Sequence, residues 1–382
     1  MNVTDSIINV GASSYSLDLF EGQYAVPNGM AYNSYLILDE KTALIDGTDK
    51  LVQTDWLANI SQALSNRQLD YFIMTHLEPD HSAGISELLK TYPDVKIVAN
   101  SKMLTLMQQF YDIDVSSVAI LVKDNESLTL GKHILNFIFA PMVHWPEVMM
   151  IYEQTEKVLF SADAFGKFGA IDCEEDWACE ARRYYFNIVG KYGVQVQNVL
   201  KKIADKPIEY ICSLHGPVLM DKPDYYLNLY NIWSSYLPEK DGVFIAYASI
   251  YGNTEKAALL LKERLESKGI AVTASDLARS DMSENVEDAF KYGKLVIASP
   301  TLDGDIFPAA KEFVEHLLSK NFQNRTVGII ENGSWAPQAA KLIKAKLESA
   351  KNITLLENIV TVRSGVSVKN LSELDEMAND LA

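Results

Sequence analysis

At 382 residues the chain is long enough for two or three domains that each bury a core, and 48% hydrophobic with 22% charged residues is ordinary for a globular protein. A formal charge of −17, with 34 Lys and Arg against 51 Asp and Glu and no clustered basic face, excludes a nucleic-acid partner. No apolar run approaches the roughly 18 residues of a membrane span, and MNVTDSIINVGASSY lacks the basic and apolar regions of a secretory signal, so a cytoplasmic location with no membrane partner is expected.

The first half mixes short strand-like runs with polar loops. YLILD (35–39), TALIDG (42–47), YFIMT (71–75), KIVAN (96–100), VMMIY (148–152), VLFSAD (158–163) and EYICSLH (209–215) are rich in β-branched and aromatic residues. Helical patterns lie between some of them, as at 82–91, which predicts sheets covered by helices.

The densest chemical signal is THLEPDHSAG (75–84), directly after YFIMT. His76, Glu78, Asp80 and His81 crowd a turn that Pro79 stiffens. Carboxylates so placed resist burial without a counter-charge, and a metal cation supplies one. His144 follows ILNFIFAPMV, Asp163 follows VLFSA and His215 follows YICSL, each at a strand exit. The other two of the six histidines, His133 and His316, lack that context and are expected to be solvated or structural.

Four imidazoles and three carboxylates suit two metals with one carboxylate bridging. Mixed carboxylate and imidazole ligation points to iron or manganese, whereas zinc hydrolases favour histidine-rich sets. Two ferrous ions would balance three carboxylates and a bridging hydroxide, a balance that two zinc ions would also meet. Cys173, Cys179 and Cys212, an odd number without a C-x-x-C pair, form neither a disulfide framework nor a four-cysteine metal site. They are expected as reduced thiols, and any thiolate-held redox centre must come from another protein.

LPEKDGV (237–243) reads as a linker and places a boundary near 240, dividing the chain into 1–240 and 241–382. Beyond it VFIAY (243–247), IAVTA, LVIAS, TVGII and ITLL alternate with helical patterns, which predicts a doubly wound parallel sheet. In the first of these helices Ala258, Leu261 and Leu265 share a face, and Gly269 stands where a C-cap would.

Three loops leave the carboxyl ends of these strands, where such folds bind ligands. The first holds Ser249, Ile250, Tyr251, Gly252, Asn253 and Thr254 at a helix N-terminus, a place for a phosphate; without a GK[ST] ending it disfavours Mg-ATP. The second, SPTLDGDIFPA, holds Thr301, Leu302, Asp303, Gly304 and Asp305. The third, ENGSWAPQAA, holds Asn332, Gly333, Ser334 and Trp335, and Trp335 offers an aromatic face to a planar ring.

THLEPDHSAG, PMVHWPE, SADAFG, SLHGP and YASIYGNT together make the whole chain resemble the flavodiiron proteins (A-type flavoproteins). The resemblance implies an α/β protein: an N-terminal metallo-β-lactamase-like αββα sandwich, then a flavodoxin-like doubly wound five-stranded parallel sheet. It implies FMN on the three loops and two iron ions, with His76, Glu78 and His144 on one iron, Asp80, His81 and His215 on the other, and Asp163 bridging. It implies reduction of O2 to water, of NO to N2O, or of both, with electrons from a separate donor such as rubredoxin. A head-to-tail homodimer is implied too, with pairing of dimers left open. Family members often carry G-x-x-G-W-[SG]-G where this chain has ENGSWAPQA, and His81 stands where coordination varies. A zinc hydrolase with an appended flavodoxin-like domain and a non-catalytic FMN carrier are the rival readings; Glu78, where those hydrolases usually carry histidine, counts against the first.

Overall fold

The central strands of the first half are apolar at consecutive positions, the pattern of sheets covered on both faces. Ala43–Ile45, Tyr71–Ile73, Met149–Glu153 and Val158–Phe160 are buried at every position. The computed structural model describes residues 1–382, which form two units: Met1–Tyr185 with Val194–Asn231, and Phe186–Gly193 with Ile232–Ala382.

In the first unit, one sheet orders β1 (Ile7–Asn9), β2 (Tyr35–Ile37), β3 (Ala43–Ile45), β4 (Tyr71–Ile73), β5 (Lys96–Ala99) and β6 (Ala119–Leu121). The first two pairings are antiparallel and the rest parallel. The second sheet orders β7 (Ser127–Thr129), β8 (Ile134–Phe139), β9 (Met149–Glu153), β10 (Val158–Phe160) and β11 (Tyr210–Cys212), antiparallel except for the last pair. Leu44, Phe72 and Ile97 from one sheet and Phe137, Ile151 and Phe160 from the other join a single buried core, while Trp56, Ile60 and Leu64 bring in the helix Gln53–Leu64. This is the expected αββα sandwich.

The second unit is the expected doubly wound sheet. β12 (Lys240–Tyr247) lies between β13 (Val272–Asp276) and β14 (Tyr292–Leu302), and β15 (Arg325–Asn332) follows, all in parallel. The fifth position is split between β16 (Ile353–Leu355), on the near half of β15, and β17 (Val360–Val362), on its far half. The first strand begins at Lys240 rather than Val243, so part of the expected linker is paired backbone. In the helix Asn253–Ser267, Ala258, Leu261 and Leu265 are buried, and Gly269 (φ 78°) follows its end in the left-handed conformation that glycine adopts without cost. No helix is long and apolar enough to cross a membrane, and no disulfide joins the three cysteines.

Candidate metal centre and cofactor loops

Strand exits bring the seven candidate ligands together. The turn after β4 carries His76 and Glu78 into a short helix, Pro79–Ser82, that presents Asp80 and His81. His144 precedes β9, Asp163 leaves β10 and His215 leaves β11. The backbone is bent to the purpose, with Ala162 (φ 51°) and Phe165 (φ 67°) left-handed on either side of Asp163. Non-glycine residues hold such angles where the surrounding structure over-determines them, as at functional sites.

Two groups of ligand atoms form, His76, Glu78, His144 and Asp163 in one and Asp80, His81 and His215 in the other, each gathered within 4.8 Å. Asp163 joins them. Its Oδ2 lies 3.0 Å from His144 Nε2 and 3.5 Å from His76 Nε2, while its Oδ1 lies 3.1 Å from His81 Nε2 and 3.7 Å from His215 Nε2. Glu78 Oε2 stands 3.2 Å from His76 Nε2 and 3.1 Å from His144 Nε2; Asp80 Oδ2 stands 3.1 Å from His81 Nε2 and 3.3 Å from His215 Nε2.

All four imidazoles turn Nε2 inward. The Nδ1–H of His76 donates to Glu147 Oε1 at 2.8 Å, and that of His215 to the Ala31 carbonyl at 2.8 Å, leaving Nε2 bare in the neutral rings. Outer-layer acceptors of this kind fix tautomer and orientation in metal-binding histidines. His81 Nε2 and His215 Nε2 lie 3.1 Å apart, and both oxygens of Asp80 with Oδ1 of Asp163 are buried without a hydrogen-bond donor. Inward-facing imidazole nitrogens gathered among buried carboxylate oxygens are a donor set for cations once the rings are neutral, and imidazole plus carboxylate suits two iron ions.

The electrostatics agree. Burial alone would lower the His81 pKa, but the Asp80 and Asp163 carboxylates raise it to about 10. Burial likewise opposes charge on His144, and hydrogen bonds to Asp163 and Glu78 carry it to about 9. Protons thus take the place of the cations that three gathered carboxylates demand.

Two residues that sequence reading passed over support this centre. Glu147, 1% exposed, accepts from the His76 ring and from the Leu77 backbone N–H. Asp46, at the exit of β3, accepts from the Thr75 N–H at 2.7 Å and hydroxyl at 2.5 Å and from the His76 N–H at 3.3 Å; burial pushes its pKa up to about 6. Both lie in quoted runs, PMVHWPE and TALIDG; Glu147 follows His144 by three residues, whereas Asp46 has no histidine beside it. His133 is buried rather than solvated, its ring held by Asp39 at 2.8 Å and by Ser6 at 3.0 Å, whereas His316 lies on an outer helix 3.7 Å from Glu312.

In the second unit the three loops leave β12, β14 and β15 at one end of the sheet. Gly252 (φ 80°) turns the chain into the helix that begins at Asn253, Thr254 is buried, and Ser249 Oγ is buried without a partner. Tyr251 and Trp335 are 91% and 89% exposed, with Ile250 and Leu302 also exposed. Flat apolar side chains on a rim, beside an orphaned hydroxyl at a helix N-terminus, suit a planar ring with a phosphate tail. Asp303 (φ 53°) and Gly304 form a tight turn, Thr301 Oγ1 accepts from the Gln338 and Ala339 N–H groups, and Asp305 pairs with Lys311 at 2.7 Å. A fourth segment was not anticipated: Ser364 bonds Ser334 Oγ at 2.9 Å and accepts from Asn332 at 3.1 Å, and Gly333 N–H donates to Val362. It follows β17, whose position the strand-end rule could have flagged.

Comparison with known proteins matches both halves. Residues 30–216 fit the model of the ODP family beta lactamase, and residues 245–379 that of flavodoxin. A nitric oxide reductase of Moorella thermoacetica is 28% identical over all of this chain and 97% of its own length. An anaerobic nitric oxide reductase flavorubredoxin of Salmonella paratyphi B is 27% identical over 91% of this chain and 75% of its own. Among solved structures, rubredoxin oxygen:oxidoreductase of Desulfovibrio gigas superposes with a TM-score of 0.92 at 26% identity, covering 100% of this chain and 97% of that one. The flavodiiron protein of Giardia intestinalis gives 0.92 at 25% identity over 99% and 95%. A β-lactamase-like sandwich and a flavodoxin sheet in one polypeptide, matched end to end by such relatives, make this chain a member of the flavodiiron protein family.

Proposed function

We propose that the protein reduces dioxygen to water, nitric oxide to nitrous oxide, or both, with electrons passing through FMN from a separate redox protein of the rubredoxin kind. The observation that carries this is the two-sided carboxylate of Asp163, one oxygen toward each group of inward-facing imidazoles. In this reading His76, Glu78 and His144 hold one iron, Asp80, His81 and His215 the other, and Asp163 bridges. Ser249 to Thr254 hold the FMN phosphate; Thr301 to Asp305 and Asn332 to Trp335 border the ring. The domains are 1–240 and 241–382, and the working form is a head-to-tail homodimer.

When bound, the iron pair supplies substrate binding and two reducing equivalents, and FMN two more, matching the four that dioxygen needs and exceeding the two needed for a pair of nitric oxide molecules. The protein's own part is positional. Glu147 and the Ala31 carbonyl keep protons on the outer nitrogens of His76 and His215, so the inner nitrogens stay available. Asp46 ties Thr75 and His76 to the end of β3 and thereby sets the ligand turn. The Phe20 and Tyr32 rings pack edge-to-face with the His215 ring, centroids 5.3 and 5.7 Å apart, and help fix its orientation.

The test is metal and flavin analysis of the purified protein, then anaerobic reduction and rapid mixing with O2 and with NO in separate runs. Two irons and one FMN per chain, with fast reoxidation by at least one gas, are expected. Two zinc atoms and no gas consumption would instead make it a hydrolase; retained gas consumption in His144→Ala would exclude the iron site as the place of reaction.

A further inference from the structure

Trp145 directly follows the proposed ligand His144, in a turn where its carbonyl accepts from the Met142 N–H at 2.7 Å. Its indole meets the rings of two proposed ligands of one iron, His76 edge-on at 5.2 Å between centroids and His144 at 6.2 Å. It also stacks on Phe110, with centroids 6.1 Å apart and planes 17° from parallel. Phe110 is 45% exposed, and its ring lies 5.9 Å from that of Tyr111, which is half-buried. The helix Ser101–Tyr111 carries both. A line of packed rings thus runs from the ligand set to the surface.

The rings beside His215 form no such line. Phe20 and Tyr32, which pack on that imidazole, and Phe168, which packs on Phe20, are all buried. The difference matters for oxidation. A phenol or indole that gives up an electron also sheds its proton, and both must return before the side chain can act again; a dry site hinders both exchanges. Burial pushes the Tyr32 pKa far above the ordinary value, so its proton is hard to remove. Burial raises the Tyr111 pKa as well, but there a hydrogen bond with Ser82, 2.7 Å between the oxygens, opposes it.

We propose that Trp145 and Tyr111 are a reserve of electrons for the metal pocket, drawn on when dioxygen arrives before the flavin has been refilled. The proposal rests on the function given above. Dioxygen needs four electrons and four protons to become two waters. The reduced iron pair gives two electrons, the Trp145 indole one and the Tyr111 phenol one, the last passing inward along the packed rings. Each side chain releases its N–H or O–H proton to water, two further protons come from water, and no other reductant enters. Both side chains end as neutral radicals, which a soluble thiol reaching the surface can reduce by handing over a hydrogen atom. The reserve keeps a half-reduced gas from lingering beside its own ligands, one way in which a site excludes competing reactions.

The experiment uses the iron- and FMN-loaded protein as wild type, Trp145→Phe and Tyr111→Phe, each made with ring-deuterated tyrosine and, separately, with ring-deuterated tryptophan. Iron and FMN content are measured first. Each protein is reduced by two electrons per chain, mixed with O2 and frozen within milliseconds for electron paramagnetic resonance. The flavin absorbance before mixing gives the fraction of chains whose electrons lie on iron, and radical yields are referred to it. Wild type should show a tyrosine and a tryptophan signal, each narrowed by its own label. Tyr111→Phe should lose the first and keep the second, and peptide mapping after repeated cycles should then find oxygen added at Trp145. Trp145→Phe should lose both signals. A wild type that consumes O2 without a protein radical, or equal yields in the three proteins, would overturn the proposal. Should Trp145→Phe lose its iron, Tyr111→Phe decides: a tyrosine signal that survives there overturns the proposal, and its loss beside a retained tryptophan signal supports it. A wild type without iron, or one that leaves O2 untouched, would instead remove the function on which the proposal stands.

Discussion

A carbonyl cannot donate a hydrogen bond, so the 2.8 Å contact from His215 Nδ1 to the Ala31 carbonyl assigns the proton of the neutral ring to the outer nitrogen. The same reasoning applied to the metal-free cluster predicts what loading must do. Burial disfavours charge on His81 and His144, but the carboxylates beside them hold the two pKa values at about 10 and about 9, so both rings are protonated at pH 7. Iron needs them neutral, and loading must expel those protons. Anaerobic titration of the apoprotein with Fe(II) in weak buffer at pH 7 should release at least the two protons of His81 and His144, and apparent affinity should climb with pH up to about 10. A pH-independent affinity without proton release would contradict the assignment. Glu147 gives a second test at this scale. Glu147→Gln can still offer the His76 ring an oxygen, whereas Glu147→Ala offers none. The alanine variant should bind iron 10- to 100-fold less tightly, roughly the usual cost of losing an outer-layer acceptor, with the glutamine variant between it and wild type and FMN content unchanged in both.

Between the helices Pro79–Ser82 and Ile85–Thr91 the chain passes over the buried indole of Trp56 at Gly84. A Cβ there would sit 2.5 Å from Trp56 Cζ3 and 3.0 Å from Cε3, and Trp56 lies in the core with no room to yield. Gly84→Ala should therefore destabilise the first unit by about 1–3 kcal/mol, the usual cost of overpacking. Urea unfolding would show an earlier loss of iron while the release of FMN keeps its midpoint; a coincident shift of both would mean that the two units unfold together. The ligand run at 75–84 was legible in sequence because Pro, the dense ligands and the preceding apolar strand all lie within a few residues, although it reads as a turn where the chain forms a short helix, Pro79–Ser82. The same holds for the strand exits at His144, Asp163 and His215, each announced by its own apolar run. Asp46 was not legible, because it meets Thr75 only through the pairing of β3 with β4. Glu147 depends equally on where β9 brings its chain against the turn at His76. Likewise nothing local divides ITLL from the later run Val360–Val362; both pair with β15, at different heights, and only the length of that strand reveals one shared position. Contacts set by register over tens of residues leave no pattern in a window of ten.

For the whole molecule the open question is which flavin feeds which iron pair, and subunit mixing answers it. His144→Ala removes a proposed iron ligand but leaves the flavin loops intact, while Gly252→Asp sets a carboxylate at the proposed phosphate turn and leaves the proposed metal ligands intact. Each variant should be inactive alone. If electrons stay within one chain, a mixed dimer of the two also stays inactive, because each subunit lacks one cofactor. In a head-to-tail dimer the flavin of the iron-deficient subunit lies beside the irons of its flavin-deficient partner, and one of the two electron paths is whole. Equal mixing with random reassortment makes half the dimers mixed, each with one working path, so about a quarter of wild-type NO or O2 consumption should return. The recovery should require conditions that let subunits exchange and vanish when the variants are cross-linked as homodimers beforehand. A mixture that reassorts, as mass spectrometry of differently tagged chains would show, yet stays inactive would place electron transfer inside the single chain and remove the head-to-tail arrangement from the mechanism.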